Sequence, residues 1–164
     1  MGKIIMGIDP GTRITGYGII SSDGREYTPL DFGSIRPPPH LPLFKRYLIL
    51  FEGLEKLIQQ HRPQAIAVET QFIKNNIQSA MKLGMARGMV MLAAAKYDIH
   101  FYEYPPRKAK KAVVGNGAAS KRQVQKMMQI LLNLPHLPEP EDAADALALA
   151  LCHAQERKVC TNTL

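Results

Sequence analysis

The stretch KIIMGIDPGTRITGYG, Lys3–Gly18, decides how the rest of the chain is read. Ile4, Ile5, Met6 and Ile8 form an apolar run that ends on a lone carboxylate, Asp9. Pro10-Gly11 then turns the chain, and a second β-branched run starts at Ile14. A strand without polar alternation is buried on both faces and belongs inside a covered sheet. An Asp at the carboxyl end of such a strand stands where open α/β sheets bind their ligands. Asp-Pro-Gly is also ordinary turn chemistry, so this stretch alone leaves Asp9 as either a ligand-facing acid or a turn opener.

Ile14 to Ser21 reads as a second strand, Ser22-Asp23-Gly24 as a hairpin turn, and Tyr27 to Ile35 as a third strand. This is an antiparallel meander, closed by Pro37-Pro38-Pro39, which cannot donate to a ladder. From Leu43 to His61 apolar residues recur at helical spacing until Pro63. Ala65–Glu69 is a further short apolar run that ends on a carboxylate. A strand, a helix and another strand imply a parallel crossover. If the two acid-tipped strands are neighbours, Asp9 and Glu69 emerge together at one edge.

Asn76 is placed to cap a long Met- and Ala-rich helix from Ile77 to about Tyr97. Within it Gly84 and Gly88 form G-x-x-x-G, which suits either close packing on the sheet or a face flat enough to meet a second subunit. Ile99 to Tyr102 reads as a fifth strand, followed by a basic segment, Arg107 to Lys111, and a flexible Gly115-Asn116-Gly117. Ser120 caps a helix through Asn133, and a proline-rich loop separates it from a last helix, Glu141 to about Arg157. One domain over residues 1–157 with a short frayed tail, 158–164, is expected.

The composition, 46% apolar over 164 residues, fits a single packed domain and contains no membrane-length apolar window. The N-terminus runs straight into a strand without a signal-peptide pattern, so a cytoplasmic location is expected. Cys152 and Cys160 have no metal-ligand spacing, and Cys152 falls on an apolar helix face. The net charge is +7, which fits an anionic partner such as nucleic acid. Between Pro105 and Pro138 there are seven Lys or Arg and no Asp or Glu.

The last helix opens EDAADALALAL, with Asp142 and Asp145 three apart on one face. Acids at a helix N-terminus complement its dipole and need no further role. Yet this helix is otherwise apolar, and packed closely on the sheet it would aim both acids at the edge that holds Asp9 and Glu69. Four converging carboxylates repel unless cations intervene. All-oxygen ligation without His or Cys selects Mg²⁺ or Mn²⁺. Two such ions, about 4 Å apart, activate a water and stabilise the leaving oxygen of a phosphoryl displacement. The residues thus point to metal-dependent phosphodiester cleavage.

The blocks GIDPGTRITGYG (7–18), AVETQFIKNNIQSAMKLGMARG (67–88), VVGNGAASKRQVQ (113–125) and DAADALALA (142–150) closely resemble the RuvC family of bacterial Holliday junction resolvases, in the RNase H-like superfamily. The resemblance implies an α/β, RNase H-like fold, with a five-stranded mixed sheet of order 3-2-1-4-5 flanked by helices on both faces. It implies a homodimer that cuts two opposed strands of a four-way DNA junction and works with a branch-migration motor. It also implies that Asp9, Glu69, Asp142 and Asp145 hold two Mg²⁺ ions, that Phe72 contacts bases, and that Lys110 and Lys121 contact DNA and support cleavage. Arg107 and Lys111 are further candidates for DNA contact from their charge. As residues alone, Phe72 also suits a core position and the lysines a solvated surface. Two other classes remain open. One is an ATP-binding enzyme with an actin-like phosphate hairpin, although such enzymes need two domains. The other is a junction-binding module without catalysis. A nuclease for RNA or other branched DNA is a nearer alternative.

Overall fold

The computed structural model describes residues 2–70 and 76–156. β1 (Lys3–Asp9), β2 (Thr15–Ser22) and β3 (Tyr27–Ile35) form the antiparallel meander, and α1 (Leu43–His61) crosses over to β4 (Ala65–Glu69). α2 (Ile77–Lys96), β5 (His100–Tyr104), α3 (Pro106–Val114), α4 (Lys121–Leu131) and α5 (Glu141–Gln155) follow. The five strands lie in the order β3-β2-β1-β4-β5, with β1, β4 and β5 parallel. This is the expected mixed sheet.

The strands sort their residues between two cores by parity. Met6, Ile8, Ile66 and Val68 pack against α1 and α2, whereas Ile5 and Ala65 face the helices on the other side. Asp9 and Glu69 continue the parity of Ile5 and Ala65. They stand one step beyond the paired Ile8 and Val68, on the α5 side of the sheet. Helices therefore cover both faces.

α5 lies against the backbone of β1 and β2. Gly7 and Gly18 are register partners, as are Asp9 and Gly16. A Cβ on Gly7 would fall 1.8 Å from the Ala146 carbonyl oxygen, one on Gly16 2.1 Å from that of Asp142, and one on Gly18 2.6 Å from the Leu147 amide nitrogen. Ten α5 residues, Ala143 and Ala144 and then Ala146 through His153, are buried in this contact and its surroundings. Tyr104 at the end of β5 adds a polar tie, a hydrogen bond of 2.7 Å between its hydroxyl and His153 Nδ1. Burial pushes His153 down to about 4, so the ring is neutral.

Most expected elements appear within a residue or two, including the Asn76 cap and a capping box at Ser120. β5 departs from expectation: it runs His100–Tyr104 rather than Ile99 to Tyr102, because pairing with β4 continues to Glu69 opposite Tyr104. The basic segment Arg107 to Lys111 forms the body of α3, with Pro106 in its first turn and Gly115 closing it at φ 81°. Close packing of Gly84 and Gly88 on the sheet is also corrected. A Cβ at either position would meet nothing within 4 Å. Among the described residues no helix is long and apolar enough to cross a membrane. Phe72, Cys160 and the expected tail, 158–164, lie outside the described residues.

Gly7→Ala should therefore lower unfolding stability by about 1–3 kcal/mol in urea, as overpacking does, while Gly84→Ala should hold or slightly raise it. A Gly7→Ala chain as stable as the wild type would contradict the seating of α5.

Candidate active site

The hairpin after β1, the end of β4, Ser79 and Leu83 of α2, and the N-terminal turns of α3, α4 and α5 surround a cavity of about 460 Å³. Asp9, Glu69, Asp142 and Asp145 all line it, with Lys110 from α3 and Lys121 from α4. The acids arrive by two routes. Asp9 and Glu69 come from strand ends of equal parity, and Asp142 and Asp145 from successive turns of α5, held down over Gly16.

Crowding is visible in the proton affinities. Burial first, then Glu69, Asp145 and Asp142, push the Asp9 carboxyl up to about 8, against an opposing pull from Lys121. Burial and Asp145 raise Glu69 to about 6, while Lys110 and Lys121 oppose the rise. Asp145 is raised by burial too, with the same two lysines opposing. Burial alone would lower Lys121, but Asp145, Asp142, Glu141 and Asp9 outweigh it and hold its ammonium above the ordinary value. Lys121 Nζ lies 3.8 Å from both Glu141 and Asp145. The segment around Lys121 is free of acids in sequence, but in space the lysine is a counter-charge to the cluster.

Among the described residues no three His, Cys, Asp or Glu side chains are gathered tightly enough to share one ion. The acids line a common cavity without closing on a single point. Of the remaining sequence candidates, Arg107 is exposed and off the cavity wall. Lys111 lines a separate cavity with Lys108, Cys152 and Glu156. Phe72 lies outside the described residues. Arg46, which no local signal marks, donates from α1 to the carbonyl of Thr12 in the cavity wall. Buried Thr15 contacts the backbone of Gly11 through its hydroxyl, and a polar residue inside a β-branched run was the available signal.

The family model for crossover junction endodeoxyribonuclease RuvC matches residues 5–153. The chain belongs to the RuvC family. A relative from Protochlamydia amoebophila (strain UWE25), named crossover junction endodeoxyribonuclease RuvC, is 62% identical over 93% of this chain and 90% of its own length. One of the same name from Chlamydia pneumoniae is 51% identical, over 93% of each chain. The structure of T. thermophilus RuvC in complex with a Holliday junction substrate superposes with a TM-score of 0.87 at 34% identity, over 93% of each chain.

The raised Asp9 sets a stability test without any cation. The folded chain holds this proton to about 8, whereas the ordinary carboxyl releases it near 3.8. Its contribution is full below about pH 4 and is lost as pH rises through about 8. Each tenfold change in proton affinity is worth about 1.4 kcal/mol. In chelator, the wild type should lose stability relative to Asp9→Asn across this window, as read from paired urea titrations. Parallel curves would contradict the coupling.

Proposed function

We propose that this chain resolves four-way DNA junctions as a crossover junction endodeoxyribonuclease, nicking two opposed strands symmetrically in recombination and repair. The observation that carries this reading is the meeting of four carboxylates and two lysines in one cavity at the carboxyl edge of the sheet, in a chain of this family. The location assigned is the cytoplasm. ATP binding in the actin-like manner and binding without catalysis find no support in that constellation.

Asp9, Glu69, Asp142 and Asp145 are assigned to hold two Mg²⁺ ions, with Mn²⁺ as a substitute. The donor set suits them, since it consists of carboxylates without His or Cys. When bound, such a pair supplies an activated water and charge stabilisation at the leaving oxygen. Asp9 feels the charge of all three other acids and would be the central ligand of the set.

Lys110 and Lys121 stand beside the acids and are assigned to the phosphates flanking the cut. Arg107 and Lys111, both exposed, are assigned to more distant backbone, and Phe72 to bases at the opened junction. Asp9→Asn should abolish cleavage of a mobile junction while leaving binding largely intact, because binding rests on the basic surface. Lys121→Ala should slow cleavage and reduce the salt slope of binding by about one phosphate contact. An Asp9→Asn chain that cuts at wild-type rate would overturn the reading.

A homodimer places two such sites on the two opposed strands. α2 is the surface assigned to it. Ile77, Met81, Met85 and Leu92 are exposed along one stripe of that helix, which also carries exposed Gly84 and half-buried Gly88. Gly88→Leu meets open space within its own chain, so folding should survive while sedimentation shows weakened association. A fully dimeric Gly88→Leu chain would move the interface elsewhere. A branch-migration motor remains the expected further partner.

A further inference from the structure

α1 buries Leu50, Leu54, Leu57 and Ile58 against the sheet. Arg46 lies one turn before Leu50 on that face. α1 follows the end of β3, where Ile35 pairs with Thr15, so its first turns overhang the edge that carries Asp9. There the Arg46 guanidinium donates through Nη2 to the Thr12 carbonyl.

Thr12 belongs to the hairpin that follows Asp9, of which Pro10, Gly11, Thr12 and Ile14 line the cavity. Inside that hairpin the contacts of the Thr15 hydroxyl with the Gly11 amide and carbonyl are both 3.4 Å, near the outer limit for a hydrogen bond. The charge-assisted bond from Arg46 is the stronger tie. Arg46 Nε is also buried without a hydrogen-bond partner among the described residues. Such a donor carries a desolvation cost. That cost sets off the stability gained from the tie, so what the tie supplies is position.

We infer that Arg46 is a positioning residue for cleavage: it fixes the hairpin after Asp9, and so the wall against which the scissile phosphate is aligned, without contributing to junction affinity. The inference rests on Asp9 being the central catalytic acid.

The test compares wild type, Arg46→Met, Arg46→Lys and Asp9→Asn on a synthetic mobile junction with Mg²⁺. Met keeps most of the apolar stem and removes both the tie and the unmet donor. Arg46→Met should lose kcat by about 10- to 100-fold, the scale of a small misplacement. Its KM and junction Kd should stay within about twofold and its unfolding midpoint should not fall, as a tie without a binding role requires. Amide exchange across residues 11–14 should quicken, and Arg46→Lys should recover part of the rate. An Arg46→Met chain with unchanged kcat, with a rate loss matched by lost affinity, or with a lowered midpoint or failed folding overturns the inference. An inactive Asp9→Asn beside a fully active Arg46→Met rejects this inference alone, whereas an active Asp9→Asn rejects the reading beneath it.

Discussion

α5 can reach the sheet only where β1 and β2 lack side chains, and that close approach is the constraint on which the site depends. Gly7, Gly16 and Gly18 leave a bare track, and any Cβ there would collide with the helix backbone. On this track the first turn of α5 comes to rest over Gly16, the register partner of Asp9. A helix lifted by a layer of side chains would carry Asp142 and Asp145 away from the strand-borne acids. The same seating buries an apolar helix along most of its length, so packing energy and the assembly of the acids come from one contact.

The assembled acids are then in tension with the fold. Asp9 at about 8 and Glu69 at about 6 show partly buried carboxyls that resist ionisation next to one another. Lys121 and Lys110 relieve part of that repulsion, and both come from the stretch of chain without acids. In the proposed reaction the same ammonium groups face an incoming phosphate, so charges that hold the cluster together before binding are those that receive the substrate. Lys121, although exposed, lies 3.8 Å from both Glu141 and Asp145, whereas Arg107 is off the cavity wall.

Much of this was legible in the chain because local signals agreed. The unbroken apolar run to Asp9, the second run to Glu69, and Asp142 and Asp145 fronting an apolar helix each announce their place by periodicity. Asn76 and Ser120 announce helix starts by capping chemistry. Four blocks in family order then tied these features together. What stayed hidden depends on contacts distant in sequence. α3 was missed because it is only nine residues long and reads first as a run of charge, although Ala109 and Val113 lie one turn apart and Pro106 and Gly115 mark its ends. The glycine track was missed because Gly7 and Gly18 become partners only once the register of β1 and β2 is known. Arg46 meets Thr12 across 34 residues, and nothing near either one signals the pair.

The proposed function requires that the four acids form one cation site. Crystals of the chain soaked in Mn²⁺ would test it most directly, by anomalous diffraction with wild type and Asp9→Asn side by side. Two ion peaks per chain among Asp9, Glu69, Asp142 and Asp145, lost or reduced in Asp9→Asn, are the predicted result. Wild-type crystals without a peak among these carboxylates at saturating Mn²⁺, or ions that persist unchanged in Asp9→Asn, would contradict it.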